Sequence, residues 1–250
     1  MVDTLGWRRL YGVVTPSTNT VVQPEYDDMR PKGVTNHIAR MHIPDDPVQS
    51  DADFDELIRR IDVALEAAVD RVMTCRPQHL ILGISAESIW GGGSAPSKRI
   101  AERIRARAGD VPITQAAEAV PAALRAFGVK GRIGLVTPYF PTAEKHLKAF
   151  FDECGYEIAH AVYLSCTSPV QIAHVPKDRL KAAIDEVNGP DVDAIVQFGA
   201  NLPMGQVAAE AEVTLGKPVI AVNTATYWHA LRTGGIADKV PGVGRLLAEH

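Results

Sequence analysis

No stretch of this chain approaches the roughly 18 consecutive apolar residues that a membrane-crossing helix requires, and residues 1–10 hold no apolar secretory core. A cytoplasmic protein with no membrane partner is therefore expected. Cysteine is scarce: Cys75, Cys154 and Cys166 are the only three in 250 residues, they form no Cys-x-x-Cys pair, and an odd count in a chain this long does not suggest a disulfide framework. They are read as reduced thiols. Neither sign of charge is in excess. A formal charge of -4 spread along the sequence gives no electrostatic reason to expect a nucleic acid or an anionic membrane as partner. Metal-ligand spacing is missing as well, since no His-x-x-x-His pair occurs and His37 and His42, an odd separation apart on one predicted strand, point to opposite faces. Trp90-Gly91-Gly92-Gly93-Ser94 is glycine-rich, but it lacks the Gly-Lys-Ser/Thr ending of a phosphate loop and the Gly-x-Gly-x-x-Gly spacing of a dinucleotide fold. Nucleotide binding is not indicated, which leaves a ligand-covering flap carrying Trp90 or a passive loop.

What is present is an ordinary globular composition, 46% apolar and 22% charged, and a repeat. Gly12-Val13-Val14-Thr15-Pro16-Ser17 returns about half a chain later as Gly134-Leu135-Val136-Thr137-Pro138-Tyr139. Each copy opens a run of alternating strand-like and helix-like segments. In the first half strands are predicted at 11–15, 37–43, 79–84 and 111–114, with helices at 52–75, 97–108 and 119–127. The second half gives strands at 133–137, 157–164, 194–198 and 218–222, with helices at 142–154, 177–187, 206–215 and 225–232. This alternation predicts an α/β fold of two pseudo-symmetric lobes, 1–128 and 129–250, each a parallel sheet flanked by helices, with a ligand cleft between them. The last helix is placed on its own lobe or back across the first.

Ligands of open parallel sheets bind beyond the carboxyl ends of the strands, which singles out four loops: 15–19, 85–87, 137–139 and 199–201. Gly83-Ile84-Ser85-Ala86-Glu87 and Phe198-Gly199-Ala200-Asn201 leave buried strands at matching places. Unpaired backbone N–H groups at such turns form a cradle for a carboxylate, and one cradle per lobe suits a dicarboxylate. Thr15, Ser17, Thr18 and Asn19 add short hydroxyls and an amide on one loop, with Thr137 and Tyr139 at the matching place opposite; turn and cap chemistry is the plain alternative for these residue types. Ser85 reads as a nucleophile or as a hydrogen-bond donor, with Glu87 as an acid or base if burial raises its pKa. Gly-Ile-Ser-Ala-Glu lacks the second glycine of a Gly-x-Ser-x-Gly elbow, and no His and Asp complete a triad. Cys166, His174 and His229 are further residues that could reach the cleft, each more readily read as structural.

Val13-Val14-Thr15-Pro16-Ser17-Thr18-Asn19-Thr20 with Glu25, then Arg40-Met41, Val136-Thr137-Pro138-Tyr139, Glu144-Lys145 and the closing Val240-Pro241-Gly242-Val243-Gly244-Arg245-Leu246-Leu247, resemble the maleate cis-trans isomerases and arylmalonate decarboxylase of the aspartate/glutamate racemase superfamily. The resemblance spans essentially the whole chain. It implies two lobes enclosing a small carboxylate, no metal or organic cofactor, and a homo-oligomer, dimer or higher. It also implies one cysteine on each side of the substrate, at the positions of Ser85 and Gly199. Neither is cysteine here. A thiol of free pKa about 8.5 can be tuned to ionise near neutrality, whereas an alkyl hydroxyl needs a partner base and glycine offers nothing.

The expectation is thus a cofactor-independent isomerase or decarboxylase (lyase) acting on a small mono- or dicarboxylate by a route other than the two-cysteine one. Ser85, Glu87 and Tyr139 are the candidate catalytic residues. Thr15, Ser17, Asn19, Ala86, Thr137, Gly199, Ala200 and Asn201 are the candidate binding residues. The alternatives are a Ser85-dependent hydrolase and a non-catalytic carboxylate-binding protein.

Overall fold

The computed structural model describes residues 3–48 and 50–250. The first half runs β1 (Arg9–Pro16), α1 (Val22–Asp28), β2 (Val34–Met41), α2 (Asp51–Met73), β3 (His79–Leu82), α3 (Ala95–Ala108), β4 (Ile113–Thr114) and α4 (Ala116–Ala126). The second runs β5 (Arg132–Thr137), α5 (Glu144–Glu153), β6 (Glu157–Tyr163), α6 (Lys177–Val187), β7 (Ala194–Gln197), α7 (Gly205–Leu215), β8 (Val219–Ala221) and α8 (Val222–Thr233), followed by a short α9 (Arg245–Glu249). Among the described residues the strands form two four-stranded parallel sheets, ordered β2-β1-β3-β4 and β6-β5-β7-β8. The α/β class and the parallel sheets expected from the alternation are what the chain forms, and the strand order itself is repeated.

Burial explains the pattern. Every residue of β3 and β7 is buried, as it must be in a strand covered by helices on both faces, while the edge strands β2 and β6 are only partly covered. Ser50 caps α2 by accepting a hydrogen bond from the Asp53 N–H. Along that helix Ile61, Leu65, Ala68, Val69 and Val72 form the buried stripe that packs on β2 and β1. One core joins the halves, running from Tyr11 and Val13 through Ala119 and Leu124 to Leu135, Phe198 and Leu231. Helices α4 and α8 pack against each other at its centre, and α8 also meets α1, β3 and β4 of the first half. Tyr11 Oη donates to the Ala230 carbonyl at 2.8 Å, tying β1 to α8.

Three local features differ from the sequence reading. Helix α1 was not predicted because Pro24 reads as a breaker over a short segment; in the first turn proline gives up only an N–H that has no helical partner anyway. Strand β2 ends at Met41, so His42 lies beyond it, and both His37 and His42 border one open surface cleft beside Arg40 and Arg71. The loop after β3 enters a single turn in which the Ile89 and Trp90 N–H groups donate to the Ala86 carbonyl, and α3 begins at Ala95, two residues before the predicted 97. Among the described residues no helix is long and apolar enough to cross a membrane.

Candidate active site

The strand registers pair Val14 with Leu82 and Val136 with Gln197. Because Val14 and Val136 are equivalent in the repeat, Ser85 is the counterpart of Ala200, and Ile84 that of Gly199. The serine and the glycine that the resemblance sets opposite each other are therefore one residue out of step. They meet nonetheless. The four loops after β1, β3, β5 and β7 converge on a cavity of about 70 Å³ that takes in Asn19, Ser85, Ala86, Tyr139, Gly199, Ala200 and Asn201.

Ser85 is one of its lining residues and is almost wholly buried. Its Oγ is 3.0 Å from Tyr139 Oη and accepts the Ala200 N–H at 3.1 Å, so one hydroxyl links the β3, β5 and β7 loops. Burial pushes the Tyr139 phenol well above its usual range, with the Ser85 contact pulling the other way. The hydroxyl pair is therefore neutral and able to donate. Among the described residues nothing in the protein accepts from the N–H groups of Ser85, Ala86 or Asn201. Such unpaired donors are what an incoming anion can use.

Asn19 Oδ1 accepts the Val21 and Val22 N–H groups at 3.0 and 2.9 Å, which caps α1 and leaves its Nδ2 on the free side of the amide. Asn201 is spent differently. Its Oδ1 accepts the Thr20 N–H at 3.0 Å and its Nδ2 donates to the Pro169 carbonyl at 2.9 Å, stitching the halves together. Three candidates are structural in place. Thr15 Oγ1 donates to the Gly83 carbonyl, Thr137 Oγ1 accepts the Tyr139 N–H, and Ser17 Oγ exchanges hydrogen bonds with the Ile43 backbone while facing the outer cleft.

Glu87 is not brought into this cavity. It borders a separate small void with Met41, Asp62, Leu65 and Ile100, its two carboxyl oxygens have no hydrogen-bond partner, and burial pushes its pKa to about 8. Ile61 and Ile84 form the wall between the two spaces. Cys166, His174 and His229 do not line the cavity either, and burial pushes the Cys166 thiol up to about 11, away from thiolate chemistry. Among the described residues no cluster of three or more His, Cys, Asp or Glu is arranged to hold a metal ion.

Gly199 has a definite steric role. Its φ is +150°, and a Cβ built there would lie 2.2 Å from Pro138 Cδ. No side chain fits, so the Thr-Pro motif of the second half and this glycine come as a pair.

The sequence reading missed the opposite wall. Phe54, Leu57, Ile58 and Ile61 from the first turns of α2, together with Ile43, Ile84, Pro169 and Ile172, make that side apolar, and among the described residues no charged side chain lines the cavity. The spacing of the four α2 residues shows one helix face, but nothing in it reveals that these turns reach past the sheet edge. Trp90 stands behind this wall, its ring 4.6 Å from that of Phe54 and 4.2 Å from His146 of α5, and its Nε1 donates to Asp55. Gly91 N–H and Ser94 tie the same loop to His146 and Glu153.

Residues 13–247 match the arylmalonate decarboxylase family. The chain is 30% identical to arylmalonate decarboxylase of Bordetella bronchiseptica over 75% of its own length and 80% of that protein. It is 27% identical to maleate isomerase of Nocardia farcinica over 98% of its length and 97% of that protein. A Nocardia farcinica maleate cis-trans isomerase mutant with a covalently bound succinylcysteine intermediate has the same fold, with a TM-score of 0.85 at 24% identity over 97% of this chain and 99% of that one.

Proposed function

Since the chain belongs to the arylmalonate decarboxylase family, we propose that it is a cofactor-independent enzyme that decarboxylates a small malonate-type acid bearing an apolar substituent. The observation that carries this reading is the division of one cavity into a neutral donor side, built on Ser85, Ala86, Tyr139 and Ala200, and an uninterrupted apolar side, built on α2. Maleate keeps both carboxylates and would hold one of them against the apolar wall throughout, whereas a malonate turned the same way loses that carboxylate as CO2. A substituted malonate also places its substituent on that wall.

In the proposed reaction one carboxylate accepts hydrogen bonds from the Ser85 and Ala86 N–H groups, the Asn19 amide and the Ser85–Tyr139 hydroxyl pair. The other carboxylate, turned toward Ile61 and Ile84, loses hydration and leaves as CO2. The electron pair of the broken C–C bond moves onto the held carboxylate as an enediolate, which the preorganised neutral donors stabilise more than the starting anion. A hydroxyl of the Ser85–Tyr139 pair then delivers a proton to the carbon and is reprotonated from solvent. No thiol takes part. The enzyme works in the cytoplasm as a homo-oligomer, with its lobes divided near residue 128.

Serine hydrolysis is less well supported, because Ser85 Oγ has a phenol and a backbone N–H as partners and no base to take its proton. The test is a panel of alkyl- and arylmalonates alongside maleate, followed by 1H NMR without added metal or cofactor. Turnover of a monosubstituted malonate, with kcat lowered at least a hundredfold by Tyr139→Phe, is the expected result. Conversion of maleate alone would make the protein an isomerase, and saturable binding with no turnover of any acid would make it a binding protein.

A further inference from the structure

We propose that Glu25, outside the cavity, is a positioning residue that sets the orientation of Ala200 and thereby the donor given to Ser85; this rests on the catalytic reading above. Glu25 lies on α1, yet its contacts are with the other half of the chain. Its Oε1 accepts the N–H of Gly205, the first residue of α7, at 2.8 Å. Its Oε2 accepts from Asn223 Nδ2 on α8 at 2.7 Å. The same Asn223 nitrogen donates to the Ala200 carbonyl at 3.0 Å, and the Ala200 N–H donates to Ser85 Oγ at 3.1 Å. Hydrogen bonds joined through the Ala200 backbone thus run from a part-buried carboxylate to the Ser85 hydroxyl. A Cβ at Gly205 would come to 3.0 Å from Glu25 Oε1, so the glycine permits this close approach.

The line has a direction. Both carboxylate oxygens face donors, so the ionised form satisfies the network, while a proton on either oxygen sets O–H against N–H. The Asn223 amide cannot turn over to compensate, because its oxygen would then face the Ala200 carbonyl. On α1 the groups nearby are Asp28, whose like charge disfavours ionisation, and the neutral Tyr26; α7 and α8 present neutral donors. Burial is the largest influence and raises the Glu25 pKa to about 7, against the pull of Asn223 and Gly205. Protonation of this group within the ordinary working range therefore loosens the hold on the Ala200 carbonyl, and through the Ala200 backbone the N–H given to Ser85.

A plain helix cap on α7 would also accept the Gly205 N–H, so the test must separate capping from positioning. The protein is labelled with 15N-alanine, and the Ala200 amide, assigned by its loss in Ala200→Gly, is followed from pH 5 to 9 without ligand. The Ala200 signal is expected to titrate with a midpoint near pH 7, and Glu25→Gln and Asn223→Ser are each expected to abolish that titration. On an acid that the panel turns over, either variant lowers kcat at least tenfold, leaves KM within threefold and removes the acidic limb of the kcat profile. The double variant falls no further than the single ones. An Ala200 amide indifferent to pH and to both substitutions would overturn the proposal, as would a rise in KM with unchanged kcat. Should Glu25→Gln not fold, Asn223→Ser carries the same test from the other end of the line. Because the amide measurement uses no substrate, it stands whether or not a malonate is turned over.

Discussion

Replacing Gly199 by alanine adds a single methyl group where the backbone and Pro138 both oppose it. The new Cβ would sit 2.2 Å from Pro138 Cδ and 2.4 Å from its Cγ, both on a ring that cannot rotate away. The φ of +150° is a second obstacle, and a non-glycine residue held in such a region costs about 1–3 kcal/mol. Overpacking of a tight site typically adds about 1–3 kcal/mol more, so the variant is expected to lose about 2–6 kcal/mol. Urea denaturation at 25 °C followed by circular dichroism measures this as a lower midpoint with an unchanged slope. A second substitution, Pro138→Ala, is expected to return the steric part of the loss and leave the part due to φ. Gly199→Cys should suffer the same loss, which makes this backbone unsuited to carrying a thiol between the lobes. Gly199→Ala lying within about 0.5 kcal/mol of the parent protein, the ordinary range for an innocuous change, would refute the steric reasoning.

Ser85→Ala strips the buried Ala200 N–H and Tyr139 hydroxyl of their shared partner, and by denaturant titration is expected to cost about 2 kcal/mol or more, at about 1–3 kcal/mol for each unmet group. Glu87→Gln should stabilise the protein most at alkaline pH. The carboxyl is forced to stay protonated up to about pH 8 when folded but ionises near 4.5 when unfolded, so native stability falls as pH rises between those values, by roughly 1.4 kcal/mol for each pH unit of that span at most. The gain from Glu87→Gln, measured by thermal melts from pH 4.5 to 9, should therefore shrink toward the acid end; equal gains at all pH values would contradict the buried, unpartnered carboxyl. Phe54→Ala removes a buried ring from the apolar wall and is expected to destabilise by about 3–5 kcal/mol while lowering KM for bulkier substituents relative to small ones.

Much of the fold was legible because its signals are local. The 79–84 run is short and without a polar side chain after His79, and α6 spans the predicted 177–187, since burial against one sheet imposes a simple period on the sequence. The loops ending the strands could be named for the same reason: a parallel sheet puts its crevice beyond the carboxyl ends. Helix α1 escaped because its cap, Asn19, lies before a proline that looks like a breaker. The apolar wall escaped because residues such as Phe54 and Ile58 have the same helical spacing whether they face a core or a cavity. Glu87 and Ser85, two residues apart in one loop, differ in what they line, one a small void behind Ile84 and the other the cavity itself.

The order of residues alone determined that strands and helices alternate, that the arrangement is written twice, and that no cysteine stands in the loops at 15–19, 85–87, 137–139 and 199–201. These are properties of neighbours along the chain, set by periodicity and by side-chain chemistry at fixed positions. Only the folded chain decided that Ser85 reaches Tyr139 and Ala200, that Pro138 forbids a side chain at Gly199, and that Glu25 meets Gly205 and Asn223 of the far half. Those contacts join residues tens to hundreds of positions apart, and which of them come together depends on how the two sheets pack, which no local pattern encodes.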